Sequence, residues 1–178
     1  DDSGHGTHTM GTMVGDDGGS NLLGVAPDAK WIGCRNMKKG VGTPATYLEC
    51  FEFFLSPFPL GGNAKDDGVP ELAPHIVNNS WSCPPEEGCK GEEFLQAIRS
   101  LHAAGILVVV AAGNEGPGCE SLMNPPGYYV GEVLSVAATD HRDGKIADFS
   151  SRGPSKWNDR IGPLLSAPGS LIRSAVPP

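Results

Sequence analysis

Ile106-Leu107-Val108-Val109-Val110-Ala111-Ala112-Gly113-Asn114 is an unbroken apolar run that closes on small residues and a single amide. A strand with no polar residue on either side is one whose two faces are both buried, the pattern of a central parallel strand. It follows directly on Gly91–Gly105, where Phe94, Leu95, Ile98 and Leu101 recur at helical spacing and Gly105 supplies a stop. A helix feeding a buried strand is the repeating unit of an α/β sheet.

The same alternation extends in both directions. Upstream, His75-Ile76-Val77-Asn78-Asn79-Ser80-Trp81 is a strand that runs into polar residues at its C-terminal end, the end at which open α/β sheets bind ligands. Downstream, Val133–Ala138 is a further strand after the Pro125-Pro126-Gly127 turn. Lys30–Cys34 is predicted as a short buried strand. Thr43–Leu55 is predicted as a helix whose Tyr47, Leu48, Phe51, Phe54 and Leu55 form a core stripe, and 56–74, rich in Pro, Gly and Asp, as an exposed loop. No internal repeat interrupts the pattern. The predicted class is α/β, with a mostly parallel sheet.

With 178 residues the chain is expected to form one domain. Thirteen basic residues against 21 acidic ones give a net charge of −8, which disfavours nucleic acid and anionic membranes as partners. No stretch approaches the 18 or so apolar residues of a membrane span. Asp1 stands inside a motif and Pro178 inside a loop, so the chain reads as an internal fragment of a longer one.

The five cysteines are too few for a disulfide framework, and no metal-type C-x-x-C spacing occurs. Cys83 and Cys89 bracket a small loop that a disulfide could close, with Cys119 a competing partner for either. A bridge would imply an oxidising compartment. Gly15–Asn21 is a turn cluster whose Asp and Asn oxygens could hold a structural Ca²⁺. It matches no EF-hand pattern, and a solvated loop is the simpler reading.

Two segments carry chemistry. In Gly4-His5-Gly6-Thr7-His8 the two glycines strip Cβ atoms from both sides of His5, so backbone or substrate can approach it closely. The following Thr7–Val14 reads as a short helix that opens at His5, a suitable seat for a general base. A metal pair of His5 and His8 lacks a further Glu or Cys ligand at metal-site spacing. In Ala111-Ala112-Gly113-Asn114-Glu115-Gly116-Pro117, an amide fixed just past a buried strand can donate to a developing oxyanion.

With these two segments the chain resembles the subtilisin-like serine peptidases over nearly all its length. The matching segments, in family order, are Asp2–His8, Gly24-Val25-Ala26-Pro27, Val77–Trp81, Ala112–Gly116, Phe149-Ser150-Ser151-Arg152-Gly153-Pro154 and Ser166-Ala167-Pro168-Gly169. The Trp after the strand, the Cys83-Pro84-Pro85 insertion and Asn124-Pro125-Pro126 look most like the bacillopeptidase F group. The resemblance implies a three-layer fold with a mostly parallel sheet between helices, here incomplete at both ends. It makes residues 1–178 a partial catalytic domain.

The resemblance implies His5 as general base and Asn114 as oxyanion donor. Ser80-Trp81-Ser82 and Ala111-Ala112-Gly113 would flank an extended peptide as two edges. Trp81 stands where the family usually has a smaller apolar residue, and Ser82 where Gly is common, which implies an altered groove. Polypeptides are the implied substrates, with a propeptide as a further partner. No cofactor or metal is required, and an extracellular or cell-envelope location is implied.

Two thirds of the catalytic triad is not here. The family's Gly-Thr-Ser-Met-Ala motif does not occur, and Asp2-Ser3-Gly4 only imitates its aspartate motif, because Asp2 stands three positions before His5 with no strand ahead of it. Asp2 is therefore a supporting residue, and Ser150, Ser151 and Ser166 match structural or groove segments. The nucleophile and carboxylate are expected outside the fragment, which is expected to be inactive alone. A non-catalytic binding or scaffold domain is the alternative. Without the first strand and the serine-bearing helix, apolar sheet surface is expected to be bare.

Overall fold

The computed structural model describes residues 1–178. In chain order it contains helix α1 (His5–Val14), the short strands β1 (Met37–Lys38) and β2 (Val41–Gly42), helix α2 (Pro44–Leu55), strand β3 (Ile76–Asn79), helix α3 (Leu95–Ala103) and strands β4 (Leu107–Ala111), β5 (Leu134–Asp140) and β6 (Leu165–Ser170). Strands β3-β4-β5-β6, in that order, form one sheet in which every neighbouring pair is parallel. The α/β class follows as expected.

Local chemistry starts α2 where the sequence placed it. The Thr43 hydroxyl oxygen accepts from Thr46 N–H, the Thr46 hydroxyl oxygen accepts from Thr43 N–H in return, and Pro44 occupies the first turn, where a missing N–H costs nothing. The helix turns Tyr47, Cys50 and Phe51 inward. α3 packs on α2 and on β4, burying Leu95, Ile98 and Leu101 against Val108 and Val110. The core therefore lies on one face of the sheet.

The opposite face is largely bare. Pairing of Ile76 with Leu107, Val109 with Leu134 and Val136 with Leu165 puts these residues on one side. Ile76, Leu107 and Leu165 are 58, 44 and 55 % exposed there. β4, read from its composition as buried on both faces, is thus fully covered on only one. This is the surface from which the resemblance removes a helix. α1 docks elsewhere, receiving bonds from Val25 and Ala26 N–H at its last turn.

Several expectations are corrected. Lys30–Cys34 is not a strand: no neighbouring strand supplies partners for its backbone, and Trp31 and Ile32 are exposed. α3 begins at Leu95 rather than Gly91, because the Glu93 carboxylate takes the Lys90 and Gly91 N–H groups while both Tyr128 and Tyr129 hydroxyls bond Gly91 O, holding 90–94 in a turn. β6 and the β1–β2 hairpin are strands that no alternating or continuous apolar pattern marks in the sequence. The hairpin turns through Lys39 and Gly40, both at positive φ (53° and 79°), as a two-residue loop requires. Cys83 pairs with Cys89, a second disulfide joins Cys34 to Cys50, and Cys119 is free and exposed.

Candidate active site

The histidine helix is built from its N-terminus. Gly4 caps α1 at φ 79° and offers no side chain, so the Asp1 carboxylate does the capping. It accepts from Gly4 N–H at 3.0 Å, Thr7 N–H at 2.7 Å and the Thr7 hydroxyl at 2.9 Å. A carboxylate there satisfies orphan donors and complements the helix dipole. His5 sits exposed on the first turn.

Asp2 is turned away to bond Arg35 at 2.6 Å and Lys39 N–H at 2.9 Å, tying the N-terminus to the hairpin. These partners, the Lys39 N–H foremost, hold its carboxyl below the usual range. The His8 ring bonds Ile172 O at 3.0 Å. Ser174 donates to His8 O at 2.7 Å, and Gly11 is buried where Ala175 crosses the helix. α1 is thereby docked on the segment that follows β6.

The second part of the site lies at the C-terminal edge of the sheet. Asn79 pairs with Val110 at the end of the β3–β4 ladder, so Ser80-Trp81-Ser82 and Ala111-Ala112-Gly113 continue from neighbouring strands. Ser80 accepts from Asn78 at 2.9 Å, and buried Asn79 donates to Val109 O at 3.2 Å. The Trp81 ring is half-buried and stacks on Tyr47. Ala112 N–H bonds Val136 O at 3.0 Å, anchoring the start of the loop.

Gly113 turns that loop at φ 110°, with the Ser151 hydroxyl only 2.8 Å from where a Cβ would sit. Asn114 follows, exposed. Behind it, Ser151 donates to the Glu115 carboxylate at 2.6 Å, Asn124 donates to its other oxygen at 3.3 Å, and Gly116 N–H bonds Phe149 O at 2.9 Å. Ser150 and Ser151 are buried, Ser150 accepting from Ala138 N–H at 3.0 Å. Neither is free to attack a substrate.

The sheet edge thus gathers 80–82 with 111–114, whereas His5 stands on a separate helix with no hydrogen bond to either segment. Sequence reasoning overlooked Asp1, Glu115 and Asn124 as supports. The signal available was the adjacency of Asp1 and Glu115 to the two motifs. In the Gly15–Asn21 turn, Asp16 and Asp17 accept from Gly18 and Gly19 N–H, and Asn21 accepts from Arg173 at 2.5 Å.

A parallel α/β sheet with a glycine-bracketed histidine at a helix start and a braced Gly-Asn loop at a strand end defines the subtilisin-like class. The chain belongs to the subtilase family of peptidases (S8), whose family model matches residues 1–176. It is 43 % identical to Bacillopeptidase F of Bacillus subtilis (strain 168), over 99 % of this chain and 12 % of that protein. It is 31 % identical to the serine protease AprX of the same organism, over 100 % of this chain and 40 % of the relative. Among solved structures, Sphericase superposes with a TM-score of 0.75 at 25 % identity, over 99 % of this chain and 56 % of its own. The S41 psychrophilic protease gives 0.71 at 28 % identity, over 99 % and 55 %. The chain therefore spans less than two thirds of the length of each of these relatives.

Proposed function

We propose that this chain is part of a serine endopeptidase that hydrolyses extended polypeptides, with His5 as general base and Asn114 as side-chain oxyanion donor. The serine nucleophile and the orienting aspartate come from outside the 178 residues. His5 takes the serine proton during attack and returns it to the leaving amine, while the Asn114 amide donates to the tetrahedral oxyanion. Ser80-Trp81-Ser82 and Ala111-Ala112-Gly113 pair with the substrate backbone from either side. The chemistry needs no cofactor.

The observation that carries this reading is the Asn114 loop: a solvent-facing amide at a strand end, braced by the Glu115–Ser151–Asn124 network. The bare sheet face supports it too, since a helix bearing the nucleophile would cover Ile76, Leu107 and Leu165. Two disulfides favour an extracellular or cell-envelope location.

The test is fluorophosphonate labelling of protein that contains the complete catalytic domain. Labelling that is lost in His5→Ala supports the reading, and Asn114→Ala is expected to lower kcat by about 10²–10³. Absence of labelling in a folded protein would count against the peptidase reading and favour a binding or scaffold role.

A further inference from the structure

The loop closed by Cys83 and Cys89 leaves the end of β3 two residues after Trp81, and one of its side chains reaches back into the protein. The Glu87 carboxylate accepts a 2.6 Å bond from the Tyr47 hydroxyl and a 3.1 Å bond from Gly42 N–H. Tyr47, fully buried on the first turns of α2, stacks on Trp81 with ring centroids 4.0 Å apart and planes 9° apart. Phe94 meets both rings edge-on, at 5.7 Å from Tyr47 and 5.5 Å from Trp81, and Phe51 lies tilted at 6.0 Å from Trp81. One carboxylate therefore ties β2 to α2 and, through the Tyr47 ring, to the indole beside Ser80.

The loop has little freedom to release that carboxylate. Its disulfide spans six positions, and both cysteines are buried, at 0 and 1 % exposure. Tyr47 has equally little freedom, because its ring also lies against Gly42, where a Cβ would strike it. Trp81 remains half-buried, with an apolar surround of Tyr47, Phe51 and Phe94.

We propose that Glu87 is a positioning residue for substrate selection. Through Tyr47 it fixes the plane of Trp81, and Trp81 selects an apolar over a charged side chain in a peptide lying along Ser80–Ser82. An apolar side chain gains by packing on an indole held in one plane by aromatic rings, whereas a charged one gives up hydration to lie there, so the apolar side chain is preferred. This rests on the peptidase reading above, and its test separates the two.

The experiment compares Glu87→Gln and Tyr47→Phe with the parent in protein that contains the complete catalytic domain. Tyr47→Phe keeps the stacked ring and removes only the hydroxyl, so the fold is preserved if the Gln variant proves unstable. Two readouts are taken: the fluorine NMR signal of fluorotryptophan at position 81, assigned by its loss in Trp81→Phe, and kcat and KM for peptides differing in one apolar or charged side chain. Both variants are expected to move or broaden the Trp81 signal and to lower apolar-over-charged selectivity in kcat/KM about tenfold, through KM. An unmoved Trp81 signal, or a fall in kcat with selectivity unchanged, overturns the proposal. If the parent cleaves no peptide, the peptidase reading fails by itself. The proposal is then decided by the Trp81 signal together with the relative binding of the same peptides.

Discussion

Ser151 and Glu115 hold each other by two bonds. The Ser151 hydroxyl donates to the Glu115 carboxylate at 2.6 Å, and the Glu115 backbone N–H donates back to Ser151 Oγ at 3.1 Å. Asn114 lies between this clamp and the end of β4, so the backbone of the glycine-flanked loop that carries it is held on both sides. On the proposed reading, a donor carried on a loop that is already held needs less reorganisation when charge develops.

Removing the clamp should therefore affect both stability and turnover. Ser151→Ala is expected to lower stability by about 1–3 kcal/mol, because a partly buried carboxylate loses the shorter of its two side-chain donors, leaving only Asn124. It should reduce kcat less than Asn114→Ala does, since the amide itself remains. Denaturant melts and steady-state kinetics on the complete catalytic domain check this; equal melting midpoints for Ser151→Ala and parent would show the clamp to be idle.

Gly11 tests how the histidine helix is seated. Glycine to alanine inside a helix ordinarily gains about 1 kcal/mol. Here a Cβ on Gly11 would stand 2.6 Å from the Ala175 Cβ and 2.8 Å from the Ala175 N. Gly11→Ala must push α1 off the 172–177 segment, and overpacking of that kind costs about 1–3 kcal/mol. A net loss of stability is expected by thermal denaturation. A stabilised variant would mean that the segment yields freely.

The bare sheet face gives a prediction for the 178-residue chain itself. Ile76, Leu107 and Leu165 line one side of the sheet, and exposed apolar area of this sort drives association. The isolated chain is expected to self-associate by analytical ultracentrifugation. Leu107→Glu with Leu165→Lys should reduce that association while changing stability by no more than about 0.5 kcal/mol. A monodisperse monomer from the unaltered chain would contradict the exposure of this face.

All three tyrosines are tied into the fold through their hydroxyls, and burial is the main cause pushing each upward. Tyr128 is pushed up to about 12, with Glu93 adding to the shift, and Tyr47 is raised further by its bond to Glu87 and that carboxylate's charge. Tyr129 is raised by burial and by Tyr128 beside it. A folded-state pKa above the unfolded value of 10.0 means that folding favours the protonated hydroxyl. This stabilisation is complete below pH 10 and is lost as pH climbs from there through the folded value. Tyrosinate absorbance is therefore expected to rise together with alkaline unfolding. A separate titration step near pH 10 in folded protein would refute this.

Much of the scaffold could be read from local pattern. The apolar run of β4, the stripe on α2 and the helix start at His5 each declare themselves within a dozen residues, because burial of one face fixes the spacing of apolar side chains. β6 did not, since Pro168, Gly169 and its exposed edge position remove both alternation and apolar continuity. The β1–β2 turn escaped because Lys39-Gly40 lacks the usual Asn or Asp before glycine. Lys30–Cys34 misled in the other direction: it has strand composition but no strand beside it.

The sequence alone determined the family, the parallel α/β class and the two motifs proposed for the chemistry, since each depends on residue types over short spans. Only the tertiary structure decided that Cys34 pairs with Cys50, that Ser151 and Asn124 brace Glu115 behind Asn114, and that Glu87 reaches Tyr47 across 40 positions. It also decided which sheet face the helices cover. The physical reason is range: periodicity and turn chemistry act between neighbours along the chain, whereas disulfides, buried hydrogen bonds and face coverage depend on where distant segments meet.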